Sequence, residues 1–253
     1  MECWPIRQTE PSPDQLNAWP LTSNRQQTDP ASRRSDLSLR GWLWWYFLEV
    51  PLFLWLTFAY RYRYWGAQQV PDRGPVLLVA NHQSFLDPVI LGVAGHHRPF
   101  HSMARGTLFR HPAFGWLIRT LRAIPIDQDG ADISAVRRCV NVLREGHALV
   151  VFPEGTRTLD GTTAPFAPGT MVLIKRALPM VIPVAIEGAH DVWPRNRSLP
   201  RAVGRIASMY GQPIAAETLL AMEPGGALKH LQLEVETMRR QLARRLSSGR
   251  AAR

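Results

Sequence analysis

From Gly74 onward, short apolar runs alternate with amphipathic segments, and this alternation constrains the fold more than any other feature of the chain. Short apolar runs are typical of buried strands, whereas apolar residues spaced three and four positions apart are typical of helices. The segment 133–145 has the helical spacing, with Asp132 placed to cap its start and Gly146 placed to end it. Strands that alternate with helices of this length predict an α/β domain with a mostly parallel sheet flanked by helices.

The pattern assigns a position to each element of this domain. The predicted strands lie at 76–80, 99–103, 123–126, 148–152, 181–186 and 205–210. The predicted helices between them lie at 85–93, 112–121, 133–145 and 170–177. A last helix is predicted at 226–248, with apolar residues along one side and arginines beside them. It is interpreted as a surface helix packed on the sheet, and its basic face also suits an anionic bilayer.

The segment 41–61 precedes the domain and is almost entirely aromatic and aliphatic. About 20 apolar residues suffice to cross a bilayer, but Glu49 and Pro51 near the middle disfavour complete burial in hydrocarbon. Its tryptophans and tyrosines suit the headgroup boundary of a membrane. The segment is therefore predicted to be a membrane-anchoring helix that either crosses the bilayer or lies in one leaflet, with a core helix of a soluble domain as the alternative.

The chain of 253 residues has a formal net charge of +10, which is unevenly distributed. Residues 1–40 contain as many acidic residues as arginines and few apolar residues, and they are predicted to form a disordered arm. Residues 226–253 carry a net charge of +5, which is half of the surplus. Such a patch suits anionic lipid, a phosphorylated substrate or nucleic acid. Because the sequence contains no nucleic-acid-binding motif, no nucleic-acid partner is expected.

An imidazole and a carboxylate, His82 and Asp87, follow the first predicted strand. Five positions apart on one regular helix, their side chains would point roughly 140° away from each other. They can meet if His82 lies in the turn after the strand and Asp87 in the first helical turn, with Ser84 as the helix cap. Asp87 would then accept the Nδ1 proton of the ring and leave Nε2 free to act as a general base.

A second polar group, Glu154, Gly155, Thr156 and Arg157, follows the predicted strand 148–152. The carboxyl ends of parallel strands are where α/β folds bind their ligands. Gly155 allows the backbone to approach a ligand closely, and Thr156 offers a hydroxyl. The planar guanidinium of Arg157 matches the geometry of a phosphate. The group therefore predicts an anion-binding loop at the same edge of the sheet as His82.

Three motifs carry a family resemblance: NHQSFLD at 81–87, FPEGTR at 152–157 and VIPVAI at 181–186. In this order and spacing they resemble the glycerolipid acyltransferase family, specifically its 1-acylglycerol-3-phosphate acyltransferase type. The resemblance covers about 62–215 and implies an acyltransferase domain within 62–253. It implies that His82, held by Asp87, deprotonates the free hydroxyl of a lysophospholipid, which then attacks the acyl thioester of acyl-CoA or acyl carrier protein.

The resemblance also implies roles for residues around this pair. Arg105 and the motif residues Glu154, Gly155, Thr156 and Arg157 would bind the acceptor phosphate, and Pro183 would shape an acyl pocket. The implied partners are a membrane surface, the lysophospholipid and the acyl donor. The implied location is a membrane, with the active site facing the cytoplasm.

The sequence departs from the family pattern at Gln128, where the family usually has an arginine. This departure leaves glycerol 3-phosphate, another lysophospholipid or a lyso-aminolipid open as acceptors. No cofactor is implied. No metal is implied either, because His96, His97 and His101 lack the companion ligands of a zinc site.

Two other functions are compatible with parts of the sequence. The first is a lipid hydrolase or transacylase with Ser84 or Thr156 as covalent nucleophile, although the sequence has no GxSxG motif. The second is a non-catalytic module that binds anionic lipid through the arginine-rich helix 226–248. The first would leave an acylated enzyme after exposure to an acyl donor, and the second would consume no thioester.

Overall fold

The computed structural model describes residues 39–95, 97–127, 132–223 and 225–251, so most of the predicted disordered arm lies outside the described residues. The helices are α1 (Leu39–Tyr60), α2 (Asp87–Ala94), α3 (Pro112–Thr120), α4 (Ile133–Arg144), α5 (Gly169–Ala177), α6 (Ala189–Val192), α7 (Ala216–Leu220) and α8 (Gly226–Ala251). The strands are β1 (Arg63–Trp65), β2 (Val76–Ala80), β3 (Phe100–Arg105), β4 (Ala123–Ile126), β5 (Ala148–Val151), β6 (Met180–Glu187), β7 (Ala207–Tyr210) and β8 (Ile214–Ala215).

Within the described residues these strands form one sheet in the order β1-β7-β6-β2-β5-β3-β4, and β8 also pairs with β6. The strands from β6 to β4 are parallel to their neighbours. Strands β7 and β8 run antiparallel to β6, and β1 runs parallel to β7. The prediction of a mostly parallel sheet flanked by helices is confirmed.

Strand β2 lies in the middle of the sheet and is buried on both faces. Val76 and Leu78 contribute to the core on one face, whereas Leu77 and Val79 contribute to the core on the other. A parallel strand covered on both faces has a continuous apolar sequence, which explains the run from 76 to 80. Helix α2 and the end of α1 cover the first face, and α4, α5 and α8 cover the second.

Helix α1 touches the domain mainly through its C-terminal part. Leu56 and Tyr60 are buried in the core, and the Tyr60 hydroxyl donates a hydrogen bond to the carbonyl of Arg201. Other large apolar side chains of the helix are exposed, with Phe47 68% and Phe58 80% exposed. Among the described residues it is the one helix long and apolar enough to cross a membrane, as judged by length and composition.

Helix α8 packs against the sheet with one side only. Leu231, Val235 and Leu242 are fully buried in the core of the second face. On the outer side, Glu236 accepts a hydrogen bond of 2.7 Å from Arg240, one turn further along the helix. The interpretation of this segment as a surface helix packed on the sheet is confirmed.

Candidate active site

The loop that follows β2 brings His82 and Asp87 into direct contact. Nδ1 of His82 lies 2.7 Å from Oδ2 of Asp87. His82 lies in the turn after the strand, and Asp87 is the first residue of α2 and is completely buried. The two side chains therefore meet in the arrangement expected from the sequence, with one in the turn and the other in the first helical turn.

Main-chain donors hold the Asp87 carboxylate in place. Oδ2 also accepts hydrogen bonds from the main-chain N–H groups of Gln83, at 2.6 Å, and Ser84, at 2.8 Å. A carboxylate in the first turn of a helix is further stabilised by the positive end of the helix dipole. Asp87 is thus fixed before any substrate binds, and it fixes the orientation of the ring of His82.

The expectation that Ser84 caps α2 is wrong. The cap residue is Leu86, and it makes no capping bond with its side chain. The hydroxyl of Ser84 instead donates to the main-chain carbonyl of Trp193 and accepts from the N–H of Leu86. The Asp87 carboxylate accepts hydrogen bonds from the N–H groups of Gln83 and Ser84, which precede the helix. The hydroxyl of Ser84 is thus available to bond the main chain at Trp193.

The imidazole of His82 is held by ring stacking as well as by its contact with Asp87. The ring stacks on Phe152, with 4.2 Å between the ring centroids and 19° between the planes. The side chain of His82 remains 20% exposed. Because Nδ1 contacts Asp87, Nε2 is the ring nitrogen left to face a substrate.

The buried amide of Asn81 ties this loop to the neighbouring strand β6. Its Nδ2 donates to the carbonyl of Ile186 at 2.9 Å, and its Oδ1 accepts from the N–H of the same residue at 2.8 Å. No role is predicted for Asn81 from the sequence. A polar amide directly after a buried apolar run is the signal that could have identified it, since buried amides require partners.

Glu154 braces the main chain beneath His82. Oε1 accepts a hydrogen bond from the N–H of His82 at 2.7 Å, and Oε2 accepts one from Ala164 at 2.9 Å. Burial raises the pKa of Glu154 to about 7, against the opposing effect of these two donors. The family resemblance places Glu154 among the phosphate-binding residues, but both of its oxygens accept hydrogen bonds from main-chain donors of this chain.

Gly155 and Thr156 form the exposed tip of the same loop. Gly155 has a φ of 69°, which favours glycine, and a Cβ placed there would contact no described atom within 4 Å. The turn geometry therefore requires this glycine, and its surroundings are open. Thr156 Oγ1 accepts a hydrogen bond of 2.9 Å from Nη1 of Arg195.

Arg157 lies over the loop that carries the histidine. Its Cζ is 3.3 Å from the centroid of the Phe85 ring, and its Nη1 is buried without a hydrogen-bond partner among the described residues. Burial lowers the pKa of Arg157, and the positive charges of Arg195 and Arg105 lower it further. Three guanidinium groups are therefore electrostatically coupled at this edge of the sheet.

These three cations come from separate parts of the fold. Arg105 is the last residue of β3, Arg157 follows β5, and Arg195 follows the short helix α6. Arg105 and Arg157 are candidates from the sequence, whereas Arg195 is not, because its loop shows no periodicity and belongs to none of the three motifs.

The remaining candidate residues lie apart from this group. Pro183 is buried within β6, next to Gly211, and its role in an acyl pocket stays a prediction. His96 lies outside the described residues. Within the ranges that the structure describes, no three His, Cys, Asp or Glu residues are grouped so as to hold a metal ion. Burial lowers the pKa of His101 to about 4, and the charges of Arg122 and His147 add to this effect.

Comparison with known proteins identifies relatives of this arrangement. A 1-acyl-sn-glycerol-3-phosphate acyltransferase of Streptococcus pneumoniae is 30% identical over 66% of this chain and 59% of its own length. The chloroplastic 1-acyl-sn-glycerol-3-phosphate acyltransferase BAT2 of Brassica napus is 28% identical over 51% of this chain and 38% of its own length. The chain thus spans about half the length of these curated relatives.

A solved structure shares the fold. The crystal structure of the 1-acyl-sn-glycerophosphate acyltransferase from Thermotoga maritima superposes with a TM-score of 0.68 over 80% of this chain and 79% of that one, at 23% identity. The family profile described as Acyltransferase matches residues 61–187, which is half of the chain and includes His82, Asp87 and Arg157. On this match, the chain belongs to the acyltransferase family.

Proposed function

We propose that this protein transfers a fatty acyl group from an acyl thioester, either acyl-CoA or acyl carrier protein, to the free hydroxyl of a lysophospholipid. The proposed acceptor is 1-acylglycerol 3-phosphate, the substrate class that the relatives' names indicate. The observation that supports the chemistry best is the 2.7 Å contact between Nδ1 of His82 and the buried carboxylate of Asp87.

In the proposed reaction, His82 acts first as a base and then as an acid. Nε2 takes the proton of the acceptor hydroxyl while its oxygen attacks the thioester carbonyl carbon. Asp87, which contacts Nδ1, stabilises the imidazolium that forms when Nε2 is protonated. The tetrahedral intermediate then collapses, the carbon–sulfur bond breaks, and the departing thiol takes the proton from Nε2. The products are a diacylated lipid and a free thiol.

Direct transfer, without an acyl-enzyme, fits the hydroxyl groups around the histidine. The hydroxyl of Ser84 is buried and donates to a main-chain carbonyl, and it is not a free nucleophile. Thr156 is exposed, and its Oγ1 accepts a hydrogen bond from Arg195. Mass spectrometry of the protein after brief exposure to acyl donor checks this point, because an added acyl group would show a covalent mechanism.

The cations beside the histidine support a phosphorylated acceptor. Arg157 has a buried Nη1 with no partner in the described part of the chain, and Arg105 and Arg195 add positive charge nearby. A phosphate oxygen would supply the missing acceptor for Nη1 and reduce the repulsion among the three groups. Arg157 and Arg105 are therefore assigned to the acceptor phosphate, and Glu154 to bracing the loop that carries His82.

A product analysis tests the proposal. The purified protein in detergent is incubated with acyl-CoA or acyl carrier protein and with labelled 1-acylglycerol 3-phosphate, glycerol 3-phosphate or lyso-aminolipid. The expected product is the diacylated phosphate lipid, with release of one thiol per acyl group transferred. The substitution His82→Gln should abolish product formation. The matched control, His230→Gln on α8, should leave it unchanged. Thiol release without a lipid product would instead show hydrolysis.

Helix α1 is proposed to hold the protein on a membrane with the active site facing the cytoplasm. Its exposed Phe47 and Phe58 would each gain about 1.5 to 3 kcal/mol on burial in lipid. The double substitution Phe47→Glu with Phe58→Glu should therefore weaken binding to anionic vesicles by about 100-fold or more. Leu178→Glu, at an exposed apolar position at the end of α5, is the control. Equal vesicle binding by both variants would contradict this role of α1.

A further inference from the structure

We infer that Arg195 is a third ligand of the acceptor phosphate, and that its hydrogen bond to Thr156 beside Arg157 makes the site selective for phosphate monoesters. The inference rests on the proposed function and adds to it a specificity-determining residue outside the three sequence motifs. Arg195 lies in the loop after α6, eight positions beyond the end of β6.

The position of Arg195 is set by contacts with the motif loops. Its Nη1 donates a hydrogen bond of 2.9 Å to Oγ1 of Thr156. Thr156 directly precedes Arg157 in the sequence. Two residues earlier, the carbonyl of Trp193 accepts a hydrogen bond from Ser84, and the Trp193 ring packs on Phe85 with 5.3 Å between centroids. The Arg195 loop is thus attached to the same segment that carries the catalytic pair.

The charges around Arg195 favour an anionic ligand. Its own charge lowers the pKa of Arg157, so the two guanidiniums interact, and Arg105 acts in the same direction. In the described part of the chain, none of the three forms an ion pair with a carboxylate. The Asp87 carboxylate opposes this effect at Arg157 without forming an ion pair with it, and a bound anion would relieve the remaining repulsion among the three cations.

The amount of positive charge indicates which anion fits. A phosphate monoester carries a charge of about −1.5 to −2 at neutral pH and has three terminal oxygens. A phosphodiester headgroup carries one negative charge on two free oxygens. Arg157, fixed over Phe85, can bind one or two oxygens, and Arg195 approaches from the Thr156 side to bind the remaining one. A third terminal oxygen is present only in the monoester.

Steady-state kinetics of Arg195→Ala test the inference, with Arg197→Ala as the matched control. Arg197 is exposed in the same loop, and the hydrogen bonds described for it use its main chain. We expect Arg195→Ala to raise KM for 1-acylglycerol 3-phosphate about 10-fold or more while kcat and KM for the acyl donor stay within about 2-fold. Arg195→Lys should recover part of the loss, and Arg197→Ala should behave like the unmodified protein.

A second measurement addresses the selectivity. The inhibition constant of 1-acylglycerophosphocholine, a phosphodiester, is measured against 1-acylglycerol 3-phosphate and should be the same in Arg195→Ala and the unmodified protein. An unchanged KM for the monoester in Arg195→Ala overturns the inference. A raised KM for the donor, or equal weakening of monoester and diester, also overturns it. If the unmodified protein acylates no lysophospholipid, the proposed function itself fails and the inference fails with it.

Discussion

The two walls of the candidate site are held in different ways. The catalytic wall, residues 81–87, is fixed mainly by hydrogen bonds within the protein: Asp87 Oδ2 receives three donors, and the amide of Asn81 pairs with Ile186, whereas Asp87 Oδ1 is buried without a hydrogen-bond partner in the described part of the chain. The cationic wall, Arg105, Arg157 and Arg195, leaves the buried Nη1 of Arg157 unpaired and holds like charges together.

This difference indicates that the protein itself fixes the side chains of the catalytic wall, whereas a bound substrate completes the hydrogen bonds of the cationic wall. Groups that do chemistry are most effective when the protein fixes them before substrate binds. Groups that bind a charged substrate can leave part of their hydrogen bonding to the substrate itself. Substitutions in the catalytic wall should therefore lower kcat, and substitutions in the cationic wall should raise KM for the acceptor.

The largest effect is expected for His82→Ala. Loss of a general base lowers kcat by about 10² to 10⁴-fold, and we expect about 10³-fold or more here because both proton transfers use Nε2. The melting temperature should change little, since the His82 ring is partly exposed. Acyl-transfer assays with both substrates saturating, alongside circular dichroism, measure this. Residual activity above about one tenth of the unmodified rate would exclude His82 as the base.

Asp87→Asn should have the next largest effect. The amide keeps the size of the side chain but removes its charge, so it stabilises the imidazolium poorly and can leave the wrong ring tautomer. We expect kcat to fall about 10² to 10³-fold and the free energy of unfolding to fall by about 1 to 3 kcal/mol, because main-chain donors lose a charged acceptor. A change in stability without a change in kcat would mean that Asp87 serves only the fold.

Arg157→Ala tests the cationic wall. Charge-assisted hydrogen bonds contribute about 1.5 to 3 kcal/mol, so KM for the acceptor should rise about 10- to 100-fold. The value of kcat at saturating acceptor should change far less. The same kinetic series on Arg197→Ala provides the control. A fall in kcat as large as that of His82→Ala, with KM unchanged, would abolish the distinction between the two walls.

A pH dependence without direct effect on kcat or KM is expected at Glu154, which joins the two walls. Burial raises its pKa from 4.5 to about 7, so the folded protein binds this proton more tightly than the unfolded chain does. The contribution of this group to the free energy of unfolding therefore falls as pH rises from about 4.5 to about 7.

Glu154→Gln carries no such proton and provides the reference. Across this interval the stability of the unmodified protein relative to the variant should fall by up to about 3 kcal/mol, the amount that corresponds to the full shift. Denaturant unfolding of both proteins at pH 4.5 and pH 8 gives the difference. A constant difference would mean that Glu154 stays ionised throughout this range.

Much of the fold could be predicted from local patterns, and what was missed has physical reasons. The strand 76–80 is apolar throughout because both of its faces are covered, and its bounds are those predicted. Strand β1 has three residues, and β8 has two, which is too short for a periodic pattern. Their existence depends on pairing with β7 and β6, far away in the sequence.

The site shows the same limit. Motif residues such as His82 and Arg157 could be selected from the sequence, because their residue types and spacing indicate a chemistry. The contact that fixes Glu154 under His82 joins positions 72 residues apart, and nothing local to either residue indicates it. Arg195 was missed for the same reason, since it reaches Thr156 across 39 residues. Long-range partners of single polar side chains are set by the assembled sheet.

The hydrogen bonds between Asn81 and Ile186 have a consequence for how the site assembles during translation. The two residues are 105 positions apart, so on the ribosome the histidine loop emerges seconds before the strand that secures it, at about 5 to 20 residues added per second. A nascent chain that ends before β6 has the histidine but lacks that anchor. The loop that carries His82 is therefore secured late in translation, when the middle of the sheet closes.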